Sequence, residues 1–167
     1  IEHGDQFVTA RTSVPEKPID VAISSSVMAV PDFSNFGRRA FQEWRESENN
    51  DIVVTWNNED ELWYYVTLLN IDENPNPEPV NIFGRENLRS FIFPPINDDT
   101  YRIRLPSITH LGLHRITVYK VNQEYVDLYE SREQDSRDLN EPLTNIEGGL
   151  GVFAAFSSES VMLNVIQ

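Results

Sequence analysis

The chain predicts a mainly β protein: an antiparallel immunoglobulin- or fibronectin-III-like β-sandwich with one short helix after its penultimate sandwich strand. Three runs carry that expectation: Asp51-Ile-Val-Val-Thr-Trp56, Leu62-Trp-Tyr-Tyr-Val-Thr-Leu-Leu69 and His114-Arg-Ile-Thr-Val-Tyr-Lys-Val-Asn122. Each is rich in β-branched and aromatic residues and bounded by polar turn formers, the composition that suits a pleated, half-buried surface. In the third, His114, Ile116 and Val118 alternate with Arg115, Thr117 and Tyr119, so one face is apolar. Trp56 closes the first run as a core residue would. Several short strands separated by turn signals are the sequence pattern of a sandwich.

The elements follow in order. Residues 1–50 read as an extended N-terminal segment and connector. Within it Phe7, Thr9 and Arg11 alternate with Val8 and Ala10, a half-buried strand ending before Pro15, and Pro18 leads into residues 19–23. Residues 33–44 place Phe33, Phe36, Ala40 and Trp44 at helical spacing, but Gly37 weakens a helix there, so an irregular segment is expected. The sandwich is assigned to residues 51–167. Residues 71–79 hold three prolines and form a surface loop. Short strands are expected at 80–83, 90–93 and 100–105. Asn122 can cap a helix over 123–137, with Tyr125, Leu128 and Tyr129 on one face. Residues 150–156 and 161–166 read as a C-terminal hairpin across Ser157-Ser-Glu-Ser160, with Phe153 packed beneath that helix.

Charge and cysteine content narrow the function classes. The 167 residues suffice for one domain with a real core. Asp and Glu number 27 against 13 Lys and Arg, a net charge of −14. Nucleic-acid affinity comes from clustered basic residues that release counterions, so nucleic acid is not an expected partner. Anionic lipid surfaces are disfavoured for the same reason. With no cysteine there are no disulfides, thiolate metal sites or cysteine nucleophiles. No stretch reaches the ~18 apolar residues of a membrane helix. The start Ile1-Glu-His-Gly-Asp5 reads as the middle of a longer product, either a processed form or a fragment lacking an upstream segment.

Tyr64-Tyr65 in the second strong strand, the tyrosines of the expected helix, and the tail Asn145-Ile-Glu-Gly-Gly-Leu-Gly-Val-Phe153 together resemble the DUF4249 family of Bacteroidota envelope lipoproteins. The opening Phe7-Val-Thr-Ala-Arg-Thr-Ser-Val-Pro15 is similar to that family's junction after an amino-terminal β domain. The resemblance marks Asn145, Gly148, Gly149, Gly151 and Phe153 as the motif. It implies an exported precursor held to the membrane only by a lipid anchor upstream of this chain. It also implies a cell-envelope location beside TonB-dependent outer-membrane receptors, and no enzymatic activity. The chain departs from the general fibronectin pattern in carrying His114 where that pattern has Tyr.

The other candidate sites are each weighed against plainer readings. His110 and His114 lack the His-Glu-x-x-His spacing, and His3 is the only other histidine, so zinc is not expected; a turn residue and a packed strand start account for them. Asp72, Asn74 and Asn76, with Glu78 beyond, alternate as calcium ligands do, but Pro75 and Pro77 interrupt and the loop glycine is missing. A solvated loop is the plainer reading. Asn58-Glu-Asp-Glu61, facing Asp98-Asp99, is a second carboxylate cluster of that kind. There is no Gly-x-Ser-x-Gly elbow, and Gly148-Gly-Leu-Gly151 lacks the strand–helix context of a dinucleotide site. Trp63, Tyr64 and Tyr65 alternate faces: one face is core, and the other is either an aromatic platform for sugar or protein or the cover for the helix. The function expected is a non-catalytic binding or assembly module without a cofactor, its partner a protein or glycan at the cell surface. The rival is a carbohydrate-binding or glycan-hydrolysing module.

Overall fold

A computed structural model describes residues 2–3, 6–30, 51–75, 88–132 and 144–167. Expectations for residues 33–44, 76–87 (with Asn76, Glu78 and the strand at 80–83) and 133–143 lie outside these residues. Five strands build the larger sheet: β5 (Val27–Ala29), β7 (Trp63–Asn70), β8 (Ser90–Ile92), β10 (Gly112–Val121) and β12 (Phe156–Ile166), in the order β5-β12-β10-β7-β8. The smaller sheet orders β4 (Ala22–Ile23), β6 (Ile52–Thr55) and β9 (Thr100–Ile103) as β4-β6-β9. All pairs in both sheets are antiparallel except β5, which runs parallel to β12. Two sheets with strands so distributed make the immunoglobulin/fibronectin-III-like sandwich. A short 3-10 turn, Leu105–Ser107, carries the chain from one sheet to the other. Outside the sandwich, β1 (Glu2–His3) pairs with β2 (Gln6–Phe7), and β3 (Thr9–Ala10) with β11 (Ile146–Glu147).

The inner faces meet in one core. Val54, Trp56 and Ile103 from the smaller sheet pack with Tyr64, Val66, Leu68, Ile116, Val118, Leu163 and Val165 from the larger. Side chains two apart on β7 and β10 therefore share a face, as the period-2 pattern required. His114, Ile116 and Val118 are all buried on that face. The helix α1 (Gln123–Arg132) follows β10 and lies against the outer face, where Val126 is buried with Tyr65 and Val121.

Four expectations are corrected. The C-terminal hairpin does not exist: residues 156–166 are one strand, paired with β10 from Val121↔Phe156 to Gly112↔Val165. The serine run contains no Gly or Pro to reverse the chain, and alternation splits it: Ser158 and Ser160 lie on the outer face, where Ser160 Oγ meets Thr117 Oγ1 at 2.9 Å, while Ser157 and Glu159 reach Glu16 and Lys17 of the N-terminal segment. Phe153 is not beneath the helix but 50% exposed. Phe156 takes that place, edge-on to Tyr65 and Tyr119. The sandwich also starts earlier than residue 51, because β4 and β5 belong to it; two- and three-residue strands around Ser24-Ser-Ser26 are too short to show a period. Lastly, the Asn122 side chain does not cap the helix. Its Nδ2 donates to Thr12 Oγ1 at 2.6 Å, while its backbone carbonyl accepts the Tyr125 N–H.

Candidate functional site

The tail motif forms a clamped loop laid over the N-terminal segment. Asn145 Oδ1 accepts the Phe153 N–H at 2.7 Å, and Asn145 Nδ2 donates to the Phe153 carbonyl at 2.8 Å. One side chain thus closes the loop by imitating a strand partner. Thr144 Oγ1 accepts the Ile146 N–H at 3.1 Å at its start. Gly148 has φ +76, and a Cβ there would stand 2.5 Å from the Phe7 carbonyl oxygen, so this crossing requires glycine. Thr9 Oγ1 donates to Glu147 across the β3–β11 pair. The result is a defined loop whose apolar side chains point outward: Leu150 is 77% exposed, Phe153 50% and Phe7 68%. These apolar side chains therefore lie outside the core.

A second concavity sits at one end of the sandwich. The Asn58 amide joins two loops, with Nδ2 donating to Leu62 O at 3.0 Å and Asn97 O at 2.8 Å, and Oδ1 accepting the Leu62 N–H at 2.8 Å. Beside it opens a cleft of about 460 Å³ lined by Asp20, Trp56, Asn57, Asn58, Glu59 and Asp99. Asp20 holds a left-handed backbone, φ 57, which Asp tolerates better than most residues. The Trp56 Nε1 is buried and has no hydrogen-bond partner among the described residues. The loop containing Asn58-Glu-Asp-Glu61 and the loop containing Asp98-Asp99 do come together, but through amide–carbonyl bonds rather than around a shared ligand position.

The tyrosine pair separates as its alternation predicts. Tyr64, 1% exposed, packs against Trp56 with ring centroids 5.3 Å apart. Tyr65, 8% exposed, lies on the other face, stacked on Tyr119 at 4.5 Å and on Tyr125 of α1 at 5.3 Å, with Trp63 against the same cluster. Burial pushes the Tyr65 hydroxyl well above the usual phenol range, and the neighbouring Tyr125 and Tyr119 push it further. An open aromatic platform is therefore not formed by Tyr64 and Tyr65: one belongs to the core and the other seats the helix.

The histidines and Asp72 build a structural corner. His114 Nδ1 lies 3.0 Å from the Gly112 carbonyl, which can only accept, so Nδ1 carries the proton and Nε2 faces Asn70 Nδ2 at 3.5 Å as the acceptor. Burial lowers the His114 pKa; the Gly112 bond and Asp72 oppose that shift, and His110 adds to it. Thr109 Oγ1 donates to the Leu88 carbonyl at 2.6 Å, so the 2.8 Å contact with His110 Nδ1 has the histidine as donor. Asp72 Oδ2 accepts the Leu113 N–H at 3.0 Å, and the Arg89 guanidinium donates to the Asp72 carbonyl oxygen. Asp72 is thus engaged in holding the start of β10. Among the described residues no three His, Cys, Asp or Glu groups converge as a metal site.

No family model, no curated protein and no solved structure matches the chain. Sequence reasoning set the Asn58–Glu61 loop facing Asp98-Asp99, and Asn58, Glu59 and Asp99 line part of this cleft, but it missed Asp20 and Trp56, which come from segments with no common spacing. The positive φ of Asp20 has no signature in sequence beyond the residue type itself. Val126, a buried residue of α1, was also missed, since Tyr125, Leu128 and Tyr129 dominate its helical pattern. Among the described residues no helix is long and apolar enough to cross a membrane.

Proposed function

We propose that this chain is a non-catalytic binding or assembly module of a Bacteroidota cell-envelope lipoprotein, working beside TonB-dependent transport. Its docking face is the clamped loop of residues 144–153 with residues 6–10 beneath it. One observation carries the reading: Leu150, Phe153 and Phe7 are exposed on a backbone that Asn145 and Gly148 hold in a single shape. Fixing apolar side chains outward spends ordering entropy that an unused loop would not need to spend, whereas a preformed surface lowers the cost of binding a partner. The DUF4249-like motif lies in the same residues.

A photocrosslinking side chain introduced at Leu150 in the producing bacterium tests this, with exposed Ile19 as the control position. The expected result is a discrete crosslink to an envelope protein at Leu150 and none at Ile19. Equal labelling at both positions removes the docking face. A hydrolysis screen bears on the other half of the proposal: robust glycan turnover lost on changing one carboxylate sinks the non-catalytic reading.

One observation favours a second reading, glycan binding. The 460 Å³ cleft combines Asp20, Asp99 and Asn57, acceptors and an amide of the kind that hold sugar hydroxyls, over a buried Trp56. A glycan array followed by titration of Trp fluorescence is the test. Binding that Asp99→Ala abolishes would establish it, and an array without hits would remove it.

A further inference from the structure

His114 and Asn70 form the last opposed pair of the β7–β10 ladder, and both are 2% exposed. With the Nδ1 proton committed to the Gly112 carbonyl, the ring keeps one lone pair, on Nε2. Among the described residues Asn70 Nδ2 is the one hydrogen-bonding group that faces it. An amide beside a ring that gains a proton can ordinarily turn over and offer its oxygen. This amide is locked. Its Nδ2 also donates to the Leu111 carbonyl at 3.1 Å, while Oδ1 accepts from the Asp72 N–H at 3.3 Å and from Arg89 Nη2 at 3.4 Å. Turned over, it would set its oxygen against a carbonyl and its NH2 against two donors, one of them a cation.

We propose that this corner is an acid-sensitive latch, in which a proton on His114 Nε2 breaks the Asn70 knot and frees Asp72 and Arg89 from the end of β7. A protonated Nε2 faces the Asn70 NH2 donor to donor, in a buried site. The pair has to part, and parting hydrates the ring, so the opened corner holds the proton that the closed one rejects. The amide joins the turn before β10 through Leu111, the segment after β7 through Asp72 and the entry to β8 through Arg89. Arg89 also donates to the Asn70 and Asp72 carbonyls, and its own carbonyl accepts the Asn70 N–H at 2.8 Å. Each of these bonds lies at or beyond the ladder's last pair, so opening the corner leaves the pairs from Arg115↔Leu69 to Val121↔Trp63 formed.

The charged groups around the ring give the proton no other home. The Asp72 carboxylate draws one toward His114, but its Oδ2 already accepts the Leu113 N–H at 3.0 Å and is not bonded to the ring. His110 and, behind the amide, the Arg89 guanidinium oppose the added charge. Leu163, opposite His114 on β12, is apolar. Burial keeps the ring neutral while the corner is closed. The folded pKa is therefore the lower one, so the latch holds above the ordinary imidazole value of ~6.5 and loosens as pH falls below it.

Amide exchange of the full chain between pH ~8 and ~5, corrected for the rate of an unstructured chain at each pH, tests the latch. The Asn70, Asp72 and Leu113 amides are expected to open ~10-fold more often for each pH unit below ~6.5. Dilute urea should leave that opening unchanged, because a local event exposes little surface, whereas mid-strand amides of β7 and β10 should be better protected and urea-sensitive. His114→Gln keeps an acceptor for Asn70 and a donor for Gly112 without taking a proton, so the acid rise should vanish. If that variant fails to fold, Asn70→Asp decides: it sets an acceptor opposite Nε2, and acid should then tighten the corner. Corner amides that open only together with the mid-strand ones, in a urea-sensitive step, overturn the proposal. So does an acid rise that survives His114→Gln, or one that persists in Asn70→Asp.

Discussion

Replacing Asn70 with Ala should reveal how the His114 corner supports the fold. Asn70 is 2% exposed and engages four groups at once. Its Nδ2 donates to Leu111 O at 3.1 Å and faces His114 Nε2 at 3.5 Å, and its Oδ1 accepts from the Asp72 N–H at 3.3 Å and from Arg89 Nη2 at 3.4 Å. Asp72, Arg89 and Leu111 are not fully buried, so water can replace what they lose. His114 Nε2 is buried and is left as a dry acceptor, a loss of ~1–3 kcal/mol. With the weaker bonds and the small void added, the change should cost about 2–4 kcal/mol. Urea unfolding followed by Trp fluorescence should show a lower midpoint with an unchanged slope. His114 has a lowered folded pKa, so the unfolded chain binds more protons near its ordinary value of 6.5. Wild-type stability from this group is therefore complete above ~6.5 and is lost as pH falls from there toward the folded pKa. In Asn70→Ala the neutral ring loses the donor that favours it over the charged form, so its folded pKa moves back up and that pH slope should flatten. A loss below ~1 kcal/mol, or a pH slope unchanged by the substitution, would refute the network.

Gly112→Ala should destabilise strongly, since φ is +94 and a Cβ would overlap the Asp72 carboxylate; thermal melting checks it, and Asp72→Gly in the same chain should relieve part of the loss. Tyr65→Ala should cost ~3–5 kcal/mol by opening the stack that seats α1, with loss of near-ultraviolet dichroism. Phe153→Ala should change stability by less than ~1 kcal/mol, because its ring is half exposed, while Asn145→Ala should cost more by releasing both loop bonds; paired melts rank the two. In an alkaline absorbance titration Tyr65 should ionise above the ordinary phenol value of ~10, and a titration complete near that value would contradict its burial.

The strong strands were legible because they obey a period-2 pattern long enough to count. On β7 and β10 the inward set Tyr64, Val66, Leu68 and His114, Ile116, Val118 follows directly from alternation. The serine run of β12 misled because polarity was read as a turn, although a strand accepts polar residues wherever they meet a partner, as Ser157 does at the Glu16 carbonyl and Ser160 at Thr117. The β4 and β5 strands hold too few residues to show a period and exist through pairing with distant β6 and β12. The Asn122 cap failed for a similar reason: a partner 110 positions away, Thr12, outcompetes the local helix for its side chain. In the candidate loop, the glycines and Asn145 were visible, but Phe153 was misplaced. An aromatic residue in sequence reads as core until the loop holding it is seen to turn outward.

That misplacement changes where binding has to be sought. A sandwich can recognise a partner through a sheet face, a sheet edge or the loops. The inner faces are consumed by the core, and α1 with Phe156 covers the aromatic part of the outer face of the larger sheet. Tyr64 and Tyr65 are accordingly structural, and a sugar could not stack on either without unpacking it. What stays open to a partner are the loops that carry Leu150, Phe153 and Asp99. The tail loop and the Asp99 loop share no strand, so changing one should leave the other in place. The stable interior is therefore what allows each surface to be tested separately: a loss of binding at the tail loop with an intact melt assigns the loss to contact, not to folding.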